Sequence, residues 1–331
     1  MDRGKLVAIV LLIVLASIPL WKLPTYPMAV ITLVFIYVAL ASSWNIIGGY
    51  AGYLSFGHVA FFGIGAYITG LLLLDFGISP FLTTPLAGIA AAVFAVIVGY
   101  PCLRIRGPYF ALVTLVLALA MQVVVVNVPY TRGTIGFWLP QLPDNVLAFL
   151  TIFGESTSAS YGVFLETFLV LMCIAVFVSW RIERSKLGAG LAAMREDEDV
   201  AQTVGVNATA LKLQAFAISA FLTGMVGGMY SYYRTYVVPS IMFDTNISVA
   251  IVLMAMFGGT QTWRGPVVGA AVLTIVSELL AVSIGAETAH IIYGLLLILV
   301  ILFMPDGVVA FFTKERLAQV LRRGKPELER A

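Results

Sequence analysis

Asn45, Tyr53, Ser55 and His58 stand close together between Trp44 and Tyr67, among six glycines and otherwise apolar residues. An amide, a phenol, a hydroxyl and an imidazole all form hydrogen bonds without holding a permanent charge. Glycine lets neighbouring backbones approach and lets a helix unwind where it lines a cavity. Broken helices of this kind expose peptide dipoles that hold a polar or zwitterionic solute inside a membrane. The same residues also suit a tight helix–helix seam, with His58 bonded to a neighbouring carbonyl. Both readings, substrate pathway and packing seam, stay open on the residues alone.

Two carboxylates, Glu166 and Glu278, fall within apolar runs long enough to cross a bilayer. An acid so placed suggests a pathway liner, a proton site or a buried partner. Glu166 sits near the end of its run, where it reaches water, and Glu278 lies deeper. Gln122 and Asn127 share one run and read as hydrogen-bonders between helices. A second polar focus is Arg195-Glu196-Asp197-Glu198-Asp199, followed by Val200, Ala201 and Val204. These residues predict a short amphipathic helix over Leu191–Val204, preceded by Gly188 and Gly190 and ended by Gly205-Val206-Asn207. Its apolar face would lie on the membrane domain and its charges would face water or a soluble partner.

Other chemistries lack their signatures. No G-x-x-x-x-G-K-[ST] phosphate loop and no G-x-S-x-G nucleophile elbow occur, and His58 and His290 are far apart in sequence. An enzyme with its own active site is not expected, and neither is a metal or a cofactor held by this chain. Cys102 and Cys173 form no disulfide framework.

The elements that must position these residues follow from composition. Of 331 residues, 61% are hydrophobic and 11% charged, with mean hydropathy +1.01. Soluble domains carry roughly a quarter charged residues, so lipid must solvate much of this chain. A membrane-crossing helix needs roughly 20 apolar residues. Ten candidates result: Leu6–Leu20, Met28–Ile47, Tyr53–Leu74, Leu86–Tyr100, Pro108–Val128, Tyr161–Trp180, Leu211–Tyr233, Thr245–Phe257, Pro266–Ile284 and Ala289–Met304. Several are short, so eight or nine full spans also fit, and Tyr53–Leu74 either crosses or re-enters. The first run, flanked by Arg3 and Lys5 and followed by Trp21-Lys22, reads as a retained span rather than a cleaved signal.

Lys and Arg collect on the cytoplasmic side. Ten spans with both termini inside place 16 of the 19 basic residues there and leave Lys22, Arg132 and Arg234 outside. The expected fold is therefore an all-α polytopic membrane protein. Residues 1–305 form the membrane domain with an internal loop at 181–210, and 306–331 form a basic cytoplasmic tail. Gly224-x-x-x-Gly228 and Gly265-x-x-x-Gly269 predict close helix contacts.

Gly49-Tyr50-Ala51-Gly52-Tyr53-Leu54-Ser55-Phe56-Gly57-His58, Arg104-Ile105-Arg106-Gly107-Pro108-Tyr109-Phe110, Met194-Arg195-Glu196-Asp197-Glu198, Lys212-Leu213-Gln214-Ala215-Phe216 and Phe257-Gly258-Gly259 occur in that order. With Gly265-Pro266-Val267-Val268-Gly269, this ordered set resembles the branched-chain amino-acid ABC permease family, LivM type, over about residues 44–280. The resemblance implies an ABC importer permease fold in a bacterial or archaeal inner membrane. It also implies a second related permease, two ATPase subunits that hold ATP and magnesium, and an external substrate-binding protein. Asp199-Val200-Ala201-x-x-x-Gly205 is similar to the E-A-A-x-x-x-G coupling motif of such permeases, with Asp for Glu, Val for Ala and no downstream I-x-L-P. Arg195, Glu196, Asp197, Asp199, Ala201 and Gly205 are the implied ATPase-coupling residues. Asn45, Tyr53, Ser55, His58 and Glu278 are the candidate substrate pathway. Urea and short-chain amide importers share the general family. An ion-coupled secondary transporter using Glu278 and His58, or a non-transporting scaffold, are the competing classes.

Overall fold

The computed structural model describes residues 24–105, 107–140 and 159–284, with isolated positions at 17, 294, 295, 298 and 307–309. Its elements run α1 Thr25–Gly48, α2 His58–Phe76, α3 Pro80–Cys102, α4 Pro108–Asn127, β1 Phe137–Trp138, α5 Ala159–Glu183, α6 Lys186–Glu196, α7 Glu198–Thr203, α8 Ala208–Arg234, β2 Tyr236–Val237, α9 Pro239–Met242, α10 Thr245–Gly258 and α11 Arg264–Ile284. Among the described residues, eight stretches are helical, long and apolar enough to cross a bilayer. They correspond to the eight central runs of the sequence; the runs at Leu6–Leu20 and Ala289–Met304, and most of the 306–331 tail, lie outside the described residues.

Helix ends follow local chemistry. Pro80 and Pro108 occupy first-turn positions of α3 and α4, where a missing N–H costs nothing. Gly77 closes α2 in the left-handed region at φ 64°, with its N–H and that of Ile78 donating to the carbonyls of Leu73 and Leu72. Asn207 caps α8 by accepting from the Ala210 N–H at 3.1 Å.

α8 lies at the centre, against α3 on one side and α2 on another, and α1 packs on α5, α8, α10 and α11. Small residues permit the closeness. A Cβ on Gly65 would run into the Gly224 carbonyl, and one on Gly227 into that of Phe62. Gly258, Gly265 and Gly269 make the same kind of seam between α10 and α11. The two small-x-x-x-small spacings thus mark real contacts. α3 and α4 are peripheral and leave apolar side chains exposed, Ile97, Val116 and Val123 among them. The strands pair antiparallel, Phe137 opposite Val237 and Trp138 opposite Tyr236, and Phe137 packs edge-on against Tyr67.

Several expectations are corrected. Tyr53–Leu74 is not helical from its start: α2 begins at His58 and, at 19 residues, is long enough to cross. The Leu191–Val204 helix is two helices. Ser185 caps α6 by accepting from Gly188 N–H, so Gly188 and Gly190 lie inside a helix; Asp197 then interrupts it by capping α7 through the N–H groups of Asp199 and Val200. An aspartate that competes for backbone donors ends one helix and begins another. Only Ala201 of the predicted apolar face is buried, while Val200 and Val204 are 59% and 76% exposed. Glu166 is buried rather than in water. Asn127 donates to the Val123 carbonyl of its own helix at 2.8 Å, not across helices.

Candidate functional site

The glycine-rich segment between α1 and α2, residues 49–57, is the irregular backbone predicted from its composition. It is held at both ends. Trp44 Nε1 donates to the Ser55 carbonyl at 2.8 Å, and the Phe56 and Val59 N–H groups donate to the hydroxyls of Thr114 and Ser248, both at 3.0 Å. Unwound backbone at membrane depth needs such partners because lipid supplies none. Tyr50 reaches Ser179 of α5, with its hydroxyl 2.8 Å from Oγ and donating to the carbonyl at 3.2 Å.

His58 is fully buried. Its Nε2 is 2.7 Å from Ser219 Oγ, which is itself 2.7 Å from the Ser43 carbonyl. A carbonyl only accepts, so the single Ser219 proton goes to Ser43 and His58 Nε2 must carry the proton given to Ser219. His58, Ser219 and Ser43 therefore tie α2, α8 and α1 together. Asn45 and Ser55 are also fully buried, Asn45 donating to the Thr262 carbonyl at 3.5 Å and Ser55 Oγ accepting from the Gly57 N–H at 3.3 Å. These three brace the broken segment from inside.

Tyr53 differs in that it joins the segment to the α6–α7 loop. Lys212 Nζ donates to Tyr53 Oη at 2.7 Å and to Glu198 Oε1 at 2.6 Å, while Tyr53 donates to Glu198 Oε2 at 2.5 Å. Two of the Lys212 protons and the Tyr53 proton have acceptors, and both carboxylate oxygens are used. The Lys212 side chain is 3% exposed and that of Glu198 13%. Lys212 also lies 4.6 Å from the Tyr53 ring centroid, and Phe110 packs edge-on against the same ring. Arg195 makes a second link, donating from a guanidinium nitrogen to the Gly49 carbonyl at 3.0 Å. Its Cγ lies so close to Gly52, at φ 74°, that a Cβ there would stand 2.7 Å away. A cleft of about 430 Å³ opens beside these links, bordered by Gly52, Tyr53, Leu54, Pro108, Arg195 and Glu198.

The remaining expected residues scatter around this cluster. Glu196, Asp197, Asp199 and Gly205 are exposed, Asp197 acting as a cap and Gly205 taking φ 90° with open space where a Cβ would be. Glu278 is elsewhere: it borders a separate groove between α1 and α11, beside Tyr26, Val30, Val34 and Leu279. Three participants carried no assigned role in the sequence reading. Glu198 and Lys212 stood within quoted motifs, and a lysine one turn into a long apolar helix was the available signal. Asp244 stood one residue outside the predicted span Thr245–Phe257; in the structure α9 and α10 form one apolar stretch, Pro239–Gly258, with Asp244 at its break.

Among the described residues, eight apolar stretches of membrane-crossing length, two interrupted segments and a charged two-helix loop clamped to one of them are the features of a polytopic membrane protein. A family profile described as branched-chain amino acid transport system, permease component, matches residues 26–301, and the chain belongs to that family. It is 28% identical over 325 residues to the high-affinity branched-chain amino acid transport system permease protein LivM of Salmonella typhimurium, covering 93% of this chain and 75% of that protein. It is 25% identical over 312 residues to the corresponding permease protein LivH of Escherichia coli, covering 91% and 95%. A probable LivM permease protein of Methanocaldococcus jannaschii is 24% identical over 319 residues, covering 83% and 90%. No solved structure matches the chain. The chain is a multi-pass membrane protein, as its relatives and its helices agree.

Proposed function

We propose that this chain is one membrane-spanning subunit of an importer for branched-chain amino acids, paired with a second permease of the same family. Two separate ATPase subunits hold ATP and magnesium, and an external binding protein delivers the solute; this chain holds no nucleotide site of its own. Family membership over residues 26–301 carries the substrate class, since relatives of both the LivM and LivH kinds are named for that transport system. In this reading the loop 181–210 faces the cytoplasm of a bacterial or archaeal cell.

The Glu198–Lys212–Tyr53 triangle supports a coupling role for that loop. An ATPase moving α6 and α7 pulls on Glu198 and Arg195, and these act on Tyr53 and Gly49 in the broken segment. Val200 and Val204, exposed on α7 and just beyond it, are apolar contacts for a soluble subunit. Asn45, Ser55 and His58 serve the pathway by bracing the segment, and Tyr53 borders its cleft.

Leucine uptake into proteoliposomes tests the proposal, with this chain alone and with the second permease, ATPases and binding protein. ATP-dependent uptake by the complete set only is the expected result. Uptake by the lone chain driven by an ion gradient would replace it with secondary transport, and urea or amide uptake in place of leucine would reassign the substrate.

A further inference from the structure

A second cavity, of about 230 Å³, lies between α1, α2, α8, α9 and α10. Leu33, Ile36 and Leu40 border it from the middle of α1. Ile247 closes it from α10, Tyr230 from α8 and Asp244 from the break between α9 and α10. The wall thus combines branched aliphatic side chains, the rings of Tyr37, Phe62 and Tyr230, and one carboxylate. Its size is below the roughly 300–1,000 Å³ of drug-sized sites, as suits a smaller solute.

An acid within a membrane-crossing stretch normally has a function, because leaving it there is costly. Asp244 has a local duty, since its Oδ1 accepts from the Asn246 N–H at 2.9 Å and caps α10. Capping does not require charge, as asparagine caps equally well. One cap bond also uses only one of the several lone-pair directions a carboxylate offers. The carboxylate thus has acceptor directions beyond the cap, and it borders a cavity lined mostly by aliphatic and aromatic side chains. From these observations we infer that the cavity is the site where the translocated amino acid rests, with its ammonium group on the Asp244 carboxylate and its branched side chain against Leu33, Ile36, Leu40 and Ile247. The inference rests on the importer function proposed above and adds a residence site distinct from the cleft beside Tyr53.

The test uses the complete importer in ATP-loaded proteoliposomes, measuring leucine uptake and the ATPase activity stimulated by the binding protein. Asp244→Asn keeps the cap and removes the charge. Uptake should fall about tenfold, the size of one lost charge-assisted contact, with stimulated ATPase within twofold of the parent. Asp244→Glu should recover part of the uptake. Ile247→Ala, which widens the aliphatic wall, should raise phenylalanine uptake relative to valine. Asp244→Asn transporting leucine like the parent would overturn the inference. So would ATPase falling in step with uptake, since Asp244 would then act through structure. A parent complex that fails to import leucine would instead strike the proposed function itself.

Discussion

Lys212 and His58 are both buried polar residues hydrogen-bonded to side chains on other elements, yet they make different demands. Lys212 holds a charge and needs Glu198; removing one member of a buried ion pair leaves the other uncompensated, at about 3–5 kcal/mol when fully buried and less where, as for Glu198, water has some access. Lys212→Met should therefore lower thermal stability in detergent and cut uptake. Adding Glu198→Gln should recover part of the stability, so that the double variant loses less than the two singles together. Strict additivity would dissolve the triangle as a unit. His58 holds no charge, and His58→Ala removes a single donor to Ser219, a loss of about 1–3 kcal/mol. Folded yield and uptake should decline together, because His58 braces the segment. Lost uptake at full yield would make it a contact of the solute.

At the scale of elements, the α2–α8 seam and the α6–α7 loop make opposite predictions for glycine replacement. Gly65→Val forces α2 away from the Gly224 carbonyl, costing about 3 kcal/mol by overpacking, and should abolish a monodisperse peak in size-exclusion chromatography. Gly77→Ala meets nothing and pays only for its left-handed backbone, about 1–2 kcal/mol, so that variant should still elute as folded protein. Gly205 resembles Gly77 in geometry but lies in the proposed docking loop, beside exposed Val204. Gly205→Val, or Val204→Asp, should leave the membrane domain folded while reducing co-purification of the ATPase subunits. Unchanged ATPase binding in both variants would remove that end of α7 from the docking surface.

For the whole molecule, two interrupted segments flank α2: residues 49–57 beside the loop, and the Asp244 break beside the second cavity. α8 passes both, touching the first through Lys212, meeting His58 just beyond its end through Ser219, and reaching the second through Tyr230. A shift of α8 driven from the loop would therefore be felt at the cavity. A reversible bifunctional thiol crosslinker joining cysteines at positions 61 and 216, where the native rings meet 5.1 Å apart between α2 and α8, should arrest uptake until reductant is added; uptake indifferent to the crosslink would mean these helices move as one body. Most of this architecture was legible in the residues. Apolar runs of membrane-crossing length, caps, glycine spacings and the charged 195–199 stretch are properties of contiguous sequence, and lipid imposes a strict rule on them, because every backbone group must find a partner inside the chain. The pairing of Glu198 and Tyr53 with Lys212 was not legible, nor were the separation of Glu278 from His58, the exposure of Val200 and Val204 and the cavity beneath Asp244. Each depends on which helices touch and at what rotation. Nearly uniform apolar helices carry little hydrophobic asymmetry to specify that rotation. It is decided by small-residue contacts and buried hydrogen bonds, such as Gly65 on Gly224 and His58 on Ser219, between residues about 160 positions apart, and these exist only once the bundle has closed.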